Sequence, residues 1–593
     1  MKNKALASLI DGYEENPTIR DKSFFCRKIS GRLSRRSVKF FSPLTKLSDA
    51  LAYTKLRSYG VVFLVFGLLS IFIEFIKNSF AGQSDNSYST LIVGASLSLL
   101  AAALLAFDKP LCEGLQEWIV TDYIFYDFLR VKRTYTKKSV RGINVLLAIF
   151  IGILLAAVGY FIPVYMVASA LGALIYLAVS MSSPEFSLFT TLLVLPLTPL
   201  FENDRTILCI LIGVCSLSFA RKVMTGKRFY RFEQYDFVIL LMLAFMLVSG
   251  VFLGGMKSFV NALFSLILTA GYFVASNVIT NRRLFECSLT AVSLSSLPIC
   301  IITAIQFIRL TAGGESFPSY NINATFSGSG TLSAFLLIST ICSYLMLKYN
   351  EKKPVGVFFG TLLLFNLAAI ILAFRLDSLL VILISSTIIS LASKNKKIFV
   401  LTIVIYILLH LVYLIPQNAA SSFAELINFG ADAMQARFSA LFASAEVLFK
   451  NLLFGVGIGK EPFSEAVYNV CGVAYESSGN LLLQMACEGG IFVSLLFLLL
   501  MLIRVRHVYK YFPYAHKYVT SASLSMIGVI YSLLLLGIFE NIFTDPAIYS
   551  LFFIIFGVGS SMLRTSKIEH DEKQGYFIDT LSLHSSSVDV YLK

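Results

Sequence analysis

Apolar runs about as long as a bilayer is thick recur along nearly the whole chain, and no water-soluble core can absorb that many. They fall at about 60–77, 90–107, 143–160, 163–181, 186–201, 206–220, 237–254, 258–279, 288–308, 331–348, 355–373, 376–393, 398–415, 480–503, 519–539 and 547–563. In a bilayer the backbone must satisfy its own hydrogen bonds, so each run is expected to be a helix. The chain therefore reads as an all-α, polytopic integral membrane protein of about 16 transmembrane helices, or 14 if the short pieces between 143 and 201 are miscounted by two.

Charge gives the topology. The net charge of +14 is carried by Lys and Arg in short blocks between apolar runs, as in cytoplasmic loops, so no nucleic-acid partner is expected. Counting sides alternately from the basic N-terminus puts Arg221 to Arg231, Arg282 and Arg283, Lys348 to Lys353, Lys394 to Lys397 and Arg504 to Lys517 inside. Both termini are then cytoplasmic, the second beside Arg564 and Lys567. The chain divides into a basic N-terminal arm, 1–57; a two-helix membrane extension with a basic loop, 58–142; a main membrane domain, 143–563; and a tail, 564–593, whose acidic and Ser-rich sequence reads as disordered. Residues 118–129 are aromatic and too short to span, which suits an interfacial helix. The arm has no apolar core, so no cleavable signal peptide is expected. The nine Cys are scattered without CxxC or metal-like spacing and read as small buried hydrophobes.

The longest extracytoplasmic loop is then 416–479. Together with the start of the next run it holds three chemically distinct pieces. Met434, Phe438, Leu441, Phe442, Ala445, Leu448, Phe449 and Leu452 recur at amphipathic helical spacing beside Arg437. Gly455, Gly457 and Gly459 alternate before Lys460, a turn suited to close backbone approach or to anion binding through bare N–H groups. Glu476, Asn480, Gln484 and Glu488 then carry polar groups into an apolar run, where such residues are costly and so are candidates for function.

Cations on the outside are few. Arg375 lies in a minimal hairpin between two runs, Arg309 ends a span, and Arg437 flanks the amphipathic stripe. Each could snorkel to headgroups or pair with a carboxylate, as Arg375 could with Asp377; together they could fork onto a phosphate or pyrophosphate at the lipid surface.

The order of these elements resembles the O-antigen ligase and O-antigen polymerase superfamily, bacterial membrane glycosyltransferases of the GT-C type. The resemblance rests on Thr325-Phe-Ser-Gly-Ser-Gly330 before a span, on Arg375, on Arg437 and the Gly455 to Gly459 turn, and on Asn480-Leu-Leu-Leu-Gln484 followed by Glu488-Gly-Gly490. It implies a GT-C-like fold and transfer of glycan from an undecaprenyl-pyrophosphate-linked donor to a glycan or lipid acceptor, on the outer face of the bacterial cytoplasmic membrane. It implies no metal or other cofactor. Arg375 and Arg437 would hold the donor pyrophosphate, with Arg309, Lys460, Asn480 and Gln484 as further substrate contacts. Membrane lipids and other polysaccharide-assembly proteins would be partners.

One departure matters. Where ligases carry a histidine that activates the acceptor, this chain has Gly479, and its His residues, His410, His507, His516, His570 and His584, lie in no predicted external loop. Glu476 is then the nearest candidate base, with His410 and Glu488 as alternatives. The missing histidine favours a polysaccharide polymerase over a ligase. A transporter or flippase of lipid-linked glycan, and a non-catalytic relative, are the competing expectations.

Overall fold

The computed structural model describes residues 41–81, 87–131, 144–225, 230–312, 322–349, 353–373, 437–511 and 517–573, together with 228, 381 and 435. Within them the protein is helical; the nearest thing to a strand pair is one isolated bridge between Lys55 and Pro110. Ten helices are long and apolar enough to cross a membrane, and four shorter ones are apolar. They match fourteen of the sixteen expected runs; the other two, 376–393 and 398–415, lie outside the described residues apart from 381, as do Arg375, His410 and the loop from 416 to 434.

The contacts divide the chain into two units, one of Glu14–Ser187 with Leu217–Arg228, the other containing Leu188–Ser216 and the chain from Phe229 onward. In the first, helix α1 (41–53) is followed by α2 (Leu56–Ala81), α3 (Ser87–Leu105), α4 (Leu111–Glu117), α5 (Val145–Phe161) and α6 (Val164–Ser182). Phe66 of α2, Ala156 of α5 and Val164 and Val167 of α6 form one of its apolar clusters. Residues 118–129 are helical with a π-helical stretch, Asp122–Phe128; they bury Tyr126 and Phe128 and expose Trp118, Ile119 and Tyr123, as an interfacial segment would.

Two expected runs are interrupted rather than continuous. Over 186–201, α7 (Pro184–Val194) gives way to a 3-10 turn, Leu195–Leu200, because Pro196 and Pro199 each lack the N–H that a continuing α-helix would use. Helix α8 (Asp204–Met224) follows. Over 480–503 the break falls at Gly490, described below.

The second unit continues with α9 (Gln234–Phe252), α10 (Gly255–Val278), α11 (Arg282–Ala312), α12 (Ser329–Tyr349), α13 (Lys353–Leu372), α14 (437–450), α15 (Lys460–Cys471), α16 (Leu481–Gly489), α17 (Ile491–Tyr511), α18 (Lys517–Phe539) and α19 (Pro546–Lys573). Pro546–Met562 is apolar all round and almost wholly buried, so α19 is the central post of this unit. It crosses α10 closely, Gly271 lying against Ile554 and Gly557 against the Tyr272 carbonyl. Its last turns continue to Lys573, past the expected start of the tail. Arg504, expected in a cytoplasmic basic loop, lies inside α17 and is fully buried. There its guanidinium stacks on Phe556 at 4.9 Å and Tyr235 at 5.7 Å, and Nη1 donates to Ser560 Oγ at 2.8 Å.

Candidate functional site

The glycine turn and the polar run that follows it fold onto each other. Helix α16 starts at Asn480, whose side-chain oxygen accepts from Leu483 N–H at 3.0 Å, a conventional N-cap. It ends after nine residues at Gly490, where the backbone has φ +87° and ψ 166°, a conformation nearly restricted to glycine. A Cβ at Gly490 would also sit 2.0 Å from the Leu453 carbonyl oxygen, so the chain entering the turn packs directly on this break. Such an ending leaves carbonyls without helical partners. The glycine turn supplies them: Val456 N–H donates to Cys487 O at 2.8 Å and Gly457 N–H to Glu488 O at 3.1 Å, while Ser249 Oγ of α9 also donates to Glu488 O at 2.7 Å.

The rest of the turn is satisfied too. Ile458 N–H donates to Ser258 Oγ at 2.6 Å, and Gly459 N–H donates to the Glu488 carboxylate. Of the two roles open to the turn, close approach is the one realised. Its N–H groups serve the protein's own carbonyls and carboxylate, leaving no nest of bare donors over Val456 to Gly459.

Above α16 this packing creates a cavity whose polar lining includes Arg205, Asn261, Lys460, Glu476, Gln484 and Glu488, with Phe264, Met485, Phe543 and Tyr549 among its apolar walls. Arg205, in the first turn of α8, donates from Nη1 to Asn261 Oδ1 at 3.1 Å; Asn261 in turn donates from Nδ2 to Ile458 O at 3.1 Å. This chain ties the cation to the turn. Gln484 accepts Ser478 N–H at 2.7 Å and donates to Glu488 Oε1 at 2.7 Å, so its amide orientation is set from both sides. Glu488 keeps some surface on the cavity, but its carboxyl is enclosed. Burial raises its pKa above the ordinary carboxylate value, while Gln484, the Gly459 N–H and the charge of Arg205 pull it back. At the rim, Lys460 Nζ lies 3.5 Å from Glu476 Oε2, both side chains largely in the open.

Among the expected site residues, Lys460, Glu476 and Gln484 meet in this cavity. Asn480 does not line it; besides capping α16, its amide donates to Ile538 O at 3.2 Å. Arg437 on α14 and Arg309 at the end of α11 are exposed and outside the lining. Arg375 lies outside the described residues. Sequence reasoning missed Arg205, whose partner Asn261 lies 56 residues away on α10 and in turn donates to Ile458 O of the glycine turn. Among the described residues no group of three His, Cys, Asp or Glu side chains could hold a metal ion. No protein-family model matches the chain, and no curated protein matches it significantly in sequence.

Proposed function

We propose that the chain is a membrane glycosyltransferase of the O-antigen polymerase and ligase type, acting as a polysaccharide polymerase on an undecaprenyl-pyrophosphate-linked donor at the outer face of the cytoplasmic membrane. The observation that supports this most is the convergence of Arg205, Lys460, Glu476, Gln484 and Glu488 in one cavity. Cations next to a carboxylate suit a reaction whose leaving group gains negative charge while an alcohol loses a proton. On this reading the runs 376–393 and 398–415 complete a GT-C-like set of 16 spans with both termini cytoplasmic, and the loop 416–479 roofs the cavity.

The acceptor hydroxyl oxygen attacks the anomeric carbon as the bond from that carbon to the pyrophosphate oxygen breaks. The pyrophosphate leaves with the electron pair. Arg205 and Lys460, together with Arg375 and Arg437, stabilise its charge. The hydroxyl proton passes to a carboxylate. Glu476 stands at the rim and is engaged by Lys460, whereas Glu488 is enclosed and oriented by Gln484, so the two compete for this role. No step needs a metal or other cofactor.

The test is polysaccharide length on a gel from cells lacking the protein, complemented with wild type, Arg205→Gln, Arg375→Ala, Arg437→Ala, Glu476→Gln or Glu488→Gln at matched membrane levels. Loss of long polymer with accumulation of lipid-linked repeats in the arginine variants is expected. Full-length polymer from Arg205→Gln would remove the cavity from the reaction.

A second reading, a transporter or flippase of lipid-linked glycan, draws support from the apolar runs broken at Gly490 and at Pro196 and Pro199, since interrupted helices commonly frame transport sites. Purified protein that elongates lipid-linked repeats in detergent would decide against it. A non-catalytic relative would do neither.

A further inference from the structure

Helix α14 has two apolar faces, and among the described residues only one is used inside the protein. Ala440, Ala443, Ser444 and Val447 are buried, with Ala443 and Val447 in a cluster completed by Phe463, Val467 and Cys487. On the opposite side Phe438, Phe442 and Phe449 follow one another at spacings of four and seven residues, which align them in a single stripe. They are 51%, 74% and 79% exposed, and Leu452, Leu453 and Phe454 extend the patch. Exposed Arg437 stands on one flank of the stripe; Lys450, held by Glu446 at 3.0 Å, stands on the other.

The position of this stripe identifies what it meets. The chain leaving α14 is bonded to the first residue of a membrane span, Ile491 N–H donating to Leu452 O at 3.0 Å, so the helix lies at the level where α17 enters the bilayer. An apolar stripe flanked by cations at that level has the composition of an in-plane interfacial helix. We propose that α14 lies in the headgroup–acyl boundary of the bilayer, with Phe438, Phe442 and Phe449 in the acyl region and Arg437 and Lys450 among the lipid phosphates. The inference stands on its own observations and shares only Arg437 with the reaction proposed above. It has a structural consequence: Cys487 Sγ donates to the Ser444 carbonyl at 3.2 Å, so a lipid-seated helix braces α16, which carries the cavity residues Gln484 and Glu488.

The protein has a single tryptophan, Trp118, which makes the test direct. In a Trp118→Phe background, Phe442→Trp and, separately, Phe449→Trp place one fluorophore on the stripe of the full-length chain, reconstituted in phosphatidylcholine–phosphatidylglycerol vesicles. With lipids brominated near the carbonyl end of the acyl chain, emission is expected to fall at least about twofold, with little quenching by aqueous acrylamide. Quenching by acrylamide without quenching by bromolipid would place the stripe in water. Protection from both would mean that protein covers it. Either result, obtained with both variants in monodisperse preparations, overturns the proposal.

Discussion

Gly490→Ala probes the junction on which the cavity depends. An alanine there must hold φ +87° and ψ 166°, at a cost of about 1–3 kcal/mol. Its methyl group would lie 2.0 Å from the Leu453 oxygen, 2.6 Å from the Leu453 carbon and 2.9 Å from the Phe454 Cα, all backbone atoms that no rotamer change can move away. Relief requires shifting residues 452–457, which carry the bonds from Ile491 to Leu452, Val456 to Cys487 and Gly457 to Glu488. Overpacking of this kind costs roughly 1–3 kcal/mol, before any of those hydrogen bonds weakens. The expected total is therefore about 2–6 kcal/mol. Two controls separate its parts. Gly472→Ala meets a left-handed φ of +73° in open space and should lose only the backbone share, roughly 1–2 kcal/mol. Gly172→Ala, on an exposed helical site with no atom near the new methyl group, should be neutral or gain up to about 1 kcal/mol. The assay is the half-life of the folded protein in detergent at fixed temperature, because large membrane proteins unfold irreversibly. If most of a 3 kcal/mol loss appears in the unfolding rate, Gly490→Ala inactivates roughly 100-fold faster than wild type. A half-life for Gly490→Ala within about twofold of Gly472→Ala would refute the packing described at this junction.

Gly559→Ala would put a methyl group 2.1 Å from Nη2 of the buried Arg504, costing roughly 1–3 kcal/mol; in an Arg504→Met background most of that penalty should vanish, and additive losses in the double-mutant cycle would contradict the contact. Asn480→Ala should cost about 1 kcal/mol through the lost cap, with wild-type polymer length at matched membrane levels; selective loss of polymer would return Asn480 to the site. The raised Glu488 pKa means that the folded state holds this proton more tightly than the unfolded one, so its contribution to stability is present at low pH. That contribution is lost as pH rises from the ordinary value of 4.5 through the folded value, and the loss is complete above it. Thermal midpoints of wild type and Glu488→Gln measured across that range should therefore diverge in the variant's favour as pH rises, and a constant difference would refute the assignment.

Among the described residues the apolar helices and their order were legible in the sequence, because a bilayer forces each long apolar run to satisfy its own backbone. The amphipathic spacing around Phe438 to Leu452, the close-approach glycines, and the polar positions Lys460, Glu476 and Gln484 were visible in the same way, since each is a local pattern. What the pattern could not supply was partnership. Gln484 and Asn480 look equivalent four residues apart, yet one turns into the cavity and the other caps a helix, because α16 begins at Leu481 and leaves Asn480 in extended backbone ahead of its first turn. Arg504 looked like a loop cation until Gly559 proved to leave it room in the core. Arg205 gained its place from Asn261, distant in the chain, which links it to Ile458. Hydrophobic periodicity is written into neighbouring residues, whereas the meeting of side chains depends on how separately specified helices pack, and that information is spread over the whole chain.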